Sequence, residues 1–247
     1  MALAQRKIDP TAEILGRIER YWDYRSSEFS KLRRLELQSE NAAQWLKLLQ
    51  EHLPTGGALN ILDVGTGAGF FAILLAAEGH RVVGIDMSKD MVHEAKKNML
   101  AAGCRAEFRR MNAEELDFPD EYFDAVISRN LTWTLTDVME AYREWRRVLK
   151  PGGVLLNFDS DCGRTVFSKQ GQQSCIHATL SREMLAECNA IKDELRISTH
   201  HRPEWDSKFL RSLGFSVECD SNVAPLVHRD QKLRYDAIPL FAIYAVK

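Results

Sequence analysis

Ile61-Leu62-Asp63-Val64-Gly65-Thr66-Gly67-Ala68-Gly69-Phe70 is the stretch that decides the fold. The apolar run reads as a buried strand, the glycines at 65, 67 and 69 as a turn, and the residues from Gly69 onward as a helix. Glycine tolerates positive φ and lets a ligand approach the main chain. A dinucleotide fingerprint, G-x-G-x-x-G, needs its third small residue at position 70. Phe70 stands there. The turn therefore favours a nucleoside ligand that brings no pyrophosphate.

Downstream, strand and helix patterns alternate, which predicts a parallel sheet covered on both faces. Strands are expected at Asn60–Val64, Arg81–Asp86, Ala106–Arg109, Phe123–Ser128 and Gly153–Phe158, with two late ones at Ser216–Cys219 and Phe241–Val246. Helices are expected at Gly69–Glu78, Ser88–Ala102, Thr136–Leu149 and Pro203–Leu213. Ser88 is a suitable N-cap, and Gly103 and Pro151-Gly152 are suitable stops. Upstream, residues 11–53 repeat apolar positions at helical spacing until Pro54-Thr55-Gly56-Gly57 interrupts them. The expected organisation is an N-terminal helical cap over 1–57 and a ligand-binding domain over 58–247. Within that domain, residues 160–202 form a lid-like insertion with one helical stretch near Ser181–Leu195, too long for a simple connection.

The bulk numbers narrow the function classes. Of 247 residues, 45% are hydrophobic and 28% charged, as in soluble globular proteins. A net charge of -2 speaks against a dedicated nucleic-acid binder. No apolar run approaches the roughly 20 residues that span a bilayer. Met1–Pro10 lacks the apolar centre of a secretory signal. Five scattered cysteines without a C-x-x-C pair fit a reducing cytoplasm. Cys162, Cys175, His177 and Cys188 match no standard zinc spacing, so no metal is expected.

Five stations occur in order: the glycine turn; Val83-Gly84-Ile85-Asp86, with Asp86 lying 21 residues after Gly65; Asn112-Ala113-Glu114; the strand Phe123-Asp124-Ala125-Val126-Ile127-Ser128 leading to Arg129 and Asn130; and Leu149-Lys150-Pro151-Gly152-Gly153. Together they resemble class I S-adenosylmethionine (SAM)-dependent methyltransferases of the small-molecule type, strongly over 58–160 and more weakly toward the C-terminus. The resemblance implies an α/β, Rossmann-like three-layer sandwich with a mostly parallel seven-stranded sheet and an antiparallel last strand. It implies SAM as cofactor and S-adenosylhomocysteine (SAH) as product. It places the amino-acid part of SAM along Gly65, Thr66, Gly67 and Gly69 and the end of the fourth strand at Ser128 and Asn130. Asp86 would accept both ribose hydroxyls, a role suited to a carboxylate because charge-assisted bonds are the stronger ones. Met87 would pack on adenine, with Asn112, Ala113 and Glu114 beside it. Tyr21 or Tyr24 would touch the amino-acid end, and Arg25 its carboxylate.

Several residues carry two readings. Asp63 either meets the ligand or orders the glycine loop. Met87 is a cofactor contact or core, and Glu114 an adenine neighbour or a helix-start acid. Arg129, Asn130 and Trp133 stand where methyl group and acceptor should meet. For Arg129 the alternative is an ion pair with a surface acid; for Trp133 it is core packing. Asp159 and Asp161 are candidate bases or solvated loop acids. His177, His200 and His201 are candidate bases because imidazole titrates near neutrality, or surface residues. Methyl transfer needs alignment more than proton transfer, so a catalytic signature is not required. No Asn/Asp-Pro-Pro-Tyr/Phe stretch follows the fourth strand, which points away from methylation of nucleic-acid bases.

The leading expectation is methyl transfer to an O, N or S atom of a small-molecule acceptor, with no nucleic-acid or membrane partner; a homodimer is one arrangement the sequence allows. A macromolecular methyltransferase, a non-catalytic SAM-binding module and a nicotinamide oxidoreductase are the alternatives.

Overall fold

In the computed structural model, which describes residues 10–168 and 180–247, two helices precede an alternating α/β array. The helices are α1 (Pro10–Leu37) and α2 (Glu40–His52). The array runs β1 (Asn60–Val64), α3 (Phe70–Ala77), β2 (Arg81–Asp86), α4 (Lys89–Ala101), β3 (Glu107–Arg110), β4 (Phe123–Arg129), α5 (Val138–Val148) and β5 (Leu149–Ser160). It closes with α6 (Arg182–Glu194), α7 (Glu204–Ser212), β6 (Ser216–Asp220), α8 (Ala224–Val227) and β7 (Leu240–Val246).

The strands form one seven-stranded sheet in the order β3-β2-β1-β4-β5-β7-β6. β7 runs antiparallel to both neighbours and the remaining pairs are parallel, as the family resemblance implies. Strand order reverses between β1 and β4, and such switch points are where open α/β sheets bind ligands.

Side chains on a strand alternate faces, and the sheet accordingly separates two cores. Leu62, Val64, Ile85, Val126 and Leu155 join Trp145 of α5 in one. Ile61, Val82, Ala125, Ile127 and Leu156 join Trp45 of α2 and Phe71 of α3 in the other. Helix starts follow capping chemistry: Ser88 accepts the Met91 amide at 3.0 Å, and Asp137 accepts the Glu140 amide at 3.0 Å.

Three features differ from the sequence reading. β5 begins at Leu149, ahead of the expected Gly153, because Leu149 pairs with Phe123 before the register shifts. A short helix, α8, lies between the last two strands. The expected lid is tied down in its described part: Arg17 of α1 holds Glu187 of α6 at 2.8 Å, and Leu185, Cys188 and Ile191 enter the core that also contains Ile18. Residues 169–179, including Cys175 and His177, lie outside the described residues. Near the end of α5, Arg147 pairs with Glu144 and Asp120, and Lys150 beyond it pairs with Asp124. No helix among the described residues is long and apolar enough to cross a membrane.

Candidate functional site

A cavity opens at the carboxyl ends of β1, β2 and β4, and α1 contributes to its wall. Gly65, Thr66 and Gly67 bring bare main chain to it, and Asp86 and Met87 follow β2. The cavity continues to Trp22, Phe29 and Arg33 of α1, to Leu131 and Trp133 after β4, and to His228 and Tyr235 before β7. Trp22, Arg25, Phe29 and Arg33 recur every three to four residues, so one face of a helix supplies all four.

The acids at the strand ends are buried. Asp63 accepts the Thr66 hydroxyl at 2.7 Å and the Ala72 amide at 3.1 Å, so it orders the glycine turn and the start of α3. Burial pushes its carboxyl up to about 7. Asp86 accepts the Gly67 amide at 2.9 Å on one oxygen and the Ser88 amide at 2.9 Å on the other. Burial raises its carboxyl to about 6, against those two hydrogen bonds. Each oxygen keeps a lone pair for a further donor.

Asp63, Gly65, Thr66, Gly67, Asp86, Met87, Asn112, Ala113, Glu114, Arg129, Asn130, Trp133 and Arg25 all line the cavity. Asn130 holds a left-handed backbone, φ 54°, and its carbonyl accepts the Trp133 indole N–H at 3.1 Å. Trp133 thereby stands edge-on to Trp22, with ring centroids 6.4 Å apart. Glu114 also serves locally, accepting from the Thr136 amide at 2.7 Å and the Asp137 amide at 3.0 Å and so holding the entry to α5.

Tyr21, Tyr24, Gly69, Ser128, Asp159, Asp161, His200 and His201, all expected at the site, do not line it. Tyr21 is buried in the core, its hydroxyl accepting from Arg25 at 3.2 Å, and its neighbour Trp22 takes the cavity position. Gly69 faces α4: a Cβ there would sit 3.3 Å from the Ala95 Cβ. Ser128 is buried in β4 with its hydroxyl unpartnered. Asp159 is no solvated rim acid. It lies buried among the Thr132 hydroxyl, the Trp133 amide at 3.2 Å and Arg202 at 3.6 Å. Burial raises its carboxyl even so. Asp161 accepts the Arg202 amide at 3.4 Å, His200 stacks on Trp205, and His201 meets Arg164, all away from the cavity lining.

Arg129 is not held by a surface acid. It makes a two-point contact with Glu36 of α1, at 2.8 and 3.2 Å, and Arg33 binds the same buried carboxylate. Burial alone would raise the Glu36 carboxyl, but Arg129 and Arg33 outweigh it and hold it down at about 2. The Tyr235 hydroxyl donates to Glu36 at 2.8 Å, and His228 stacks on Tyr235 at 3.5 Å. Sequence reading missed this corner because its members come from α1, β4 and the connection before β7, far apart in the chain.

Asn41 pins that connection by accepting the Arg229 and Asp230 amides at 2.7 and 2.8 Å and donating to Tyr235 at 3.1 Å. Asn41→Ala should cost about 1–3 kcal/mol, since three part-buried hydrogen bonds of the buried Asn41 side chain are lost together. Urea unfolding checks this, and an unchanged midpoint would show that the connection holds without Asn41.

The chain is similar to known methyltransferases. A family profile described as "Methyltransferase domain" matches residues 62–157. The chain is 31% identical over 227 residues to the demethylmenaquinone methyltransferase of Clavibacter sepedonicus, covering 88% of this chain and 91% of that protein. It is 39% identical over 108 residues to the malonyl-[acyl-carrier protein] O-methyltransferase of Erwinia pyrifoliae, covering 44% of this chain and 40% of that one. Three curated relatives, that one included, are spanned over only 40 to 46% of their length. Among solved structures, a SAM-dependent methyltransferase from Aquifex aeolicus superposes with a TM-score of 0.58 at 20% identity, covering 88% of this chain and 97% of that one.

Proposed function

This chain belongs to the class I SAM-dependent methyltransferases, and from that membership we propose that it transfers a methyl group from SAM to an O, N or S atom of a small-molecule acceptor. One observation carries the reading. The cavity that holds Asp86 and the bare main chain of Gly65–Gly67 continues to the aromatic side chains Trp22, Phe29 and Trp133, so cofactor and acceptor can lie end to end.

The residues present fit the cofactor. Asp86 has acceptor capacity left for two ribose hydroxyls. The amides at the start of α3 suit an anionic tail, and Arg25 is a cation for the same carboxylate. Met87 and Ala113 would flank adenine. Bound SAM supplies a methyl carbon already activated by its sulfonium. The chain's part is to align an acceptor against that carbon and keep water out. Asn130 and Trp133 are assigned to the alignment, and Trp22 and Phe29 to the exclusion of water. Asp63 is assigned to ordering the glycine turn. Asp159 is not a poised base, because it is engaged by Arg202 and Thr132. A helix along the cavity suits a compact acceptor better than a macromolecule. The cytoplasm is the proposed setting, in line with four free cysteines among the described residues.

Calorimetric titration with SAH tests the reading, and absence of binding would sink it. The acid limb adds a residue-specific check. Ribose binding needs Asp86 as the carboxylate, and with its carboxyl at about 6 that form predominates at pH 7.5 and is the minority at pH 5. Affinity should therefore fall about ten-fold over that range. Asp86→Asn should bind weakly at both pH values. An Asn variant that keeps the full pH profile would remove Asp86 from the ribose site.

A further inference from the structure

The corner formed by Arg33, Arg129 and Glu36 holds more positive than negative charge. Two guanidinium groups share one carboxylate, and all three side chains are buried. Glu36 is fully engaged, since it also accepts from the Tyr235 hydroxyl. Arg129 spends two nitrogens on Glu36 and lies over the rings of Trp45 and Phe70, at 4.4 and 5.0 Å. Arg33 spends one nitrogen on Glu36 and lies over Phe29 at 4.6 Å. The Nε atoms of both arginines are buried without a hydrogen-bond partner, and so is the His228 Nε2. All three residues line the cavity.

A buried cation without its counter-ion is costly, and N–H groups left unpaired in the interior add to the cost. Burial lowers the Arg33 guanidinium despite Glu36 beside it. Burial, with Arg129 next, lowers the His228 imidazole to about 3, so that ring is neutral. The cost falls when an anion enters from the cavity.

Resting on the methyltransferase reading above, we propose that the acceptor is a small carboxylic acid, its carboxylate seated on Arg33 and its apolar body among Trp22, Phe29 and Trp133. Charge selects this class. A carboxylate carries the single negative charge that the corner lacks. A phosphomonoester would bring about -1.5 to -2, and the additional charge would meet no further cation. A planar carboxylate also matches the guanidinium fork. Arg25 remains with the carboxylate of the cofactor, so each anion has its own arginine along α1.

Binding is measured by calorimetry on the SAH-saturated chain. The probes are benzoate, 3-phenylpropanoate and hexanoate, each against its primary amide, with phenyl phosphate alongside. At least one acid should bind about ten-fold tighter than its amide, the size expected for hydrogen bonds to a charged group. Arg33→Met should erase that preference and leave SAH affinity within two-fold, and Arg33→Lys should keep part of it. The proposal is overturned if no acid exceeds its amide, if phenyl phosphate binds tightest, or if Arg33→Met retains the full preference. Should Arg33→Met fail to fold, the wild-type acid and amide comparison and Arg33→Lys still decide. If SAH does not bind, the methyltransferase reading fails by itself, and the acid preference is read on the unloaded chain.

Discussion

Asp206→Ala should lower the free energy of unfolding by about 3–5 kcal/mol, the cost of stripping one partner from a buried ion pair. Asp206 is fully buried on α7. It accepts the Tyr142 hydroxyl at 2.6 Å and two nitrogens of Arg202 at 2.7 and 2.9 Å. Burial alone would lower the Arg202 guanidinium, but Asp206 and Asp159 raise it on balance. Without Asp206, Arg202 keeps the Asp159 contact at 3.6 Å, the Thr132 hydroxyl at 2.6 Å and the Phe241 ring at 5.0 Å, and the Tyr142 hydroxyl keeps Asn157 at 3.1 Å. The damage should reach the cavity. Thr132 and Trp133 are both held by Asp159, so a shifted Arg202 loosens the wall that Trp133 forms. Urea unfolding measures the loss. A decrease below about 1 kcal/mol would mean that the network is not a source of stability.

Gly67→Val should weaken SAH binding at least about 100-fold while the sheet still assembles. Gly67 has φ +52°, a conformation that a β-branched residue adopts only at a cost of order 1–3 kcal/mol. A Cβ there would sit 3.3 Å from the edge of Phe29, and the branches beyond it would fill the space beside the main chain. The Gly67 amide is also the donor that holds Asp86, so the change disturbs both halves of the proposed cofactor seat. Calorimetry gives the affinity, and circular dichroism shows whether the fold persists. Binding within a few-fold of the original would place the cofactor elsewhere.

The sheet was legible because its information is local. The run Ile61–Val64, the glycines after it and Asp86 at the end of β2 each announce themselves within a few residues, and all three meet in space. The start of β5 was misplaced because Pro151 and Gly152 read as a stop, whereas pairing with Phe123 extends the strand through them. The same local signal overreached at Gly69, which serves the contact with Ala95 of α4, and at Tyr21, which helical phase turns inward while Trp22 faces the cavity. Asp159 looked like a rim acid because its partners Thr132 and Arg202 lie 27 and 43 residues away, and nothing local marks them. The proposed acceptor side was least legible. Glu36, Arg129, Tyr235 and His228 form one corner only after the chain has closed on itself.

The floor of the cavity and its roof are built from different materials. Gly65–Gly67, Asp86 and Met87 sit at the ends of paired strands, where any displacement is shared by the whole sheet. Trp22, Phe29, Arg33, Tyr235 and His228 belong to α1 and the connection before β7, and no strand register passes through them. A lineage can therefore exchange the roof by point substitution and take up a new substrate while inheriting the floor unaltered.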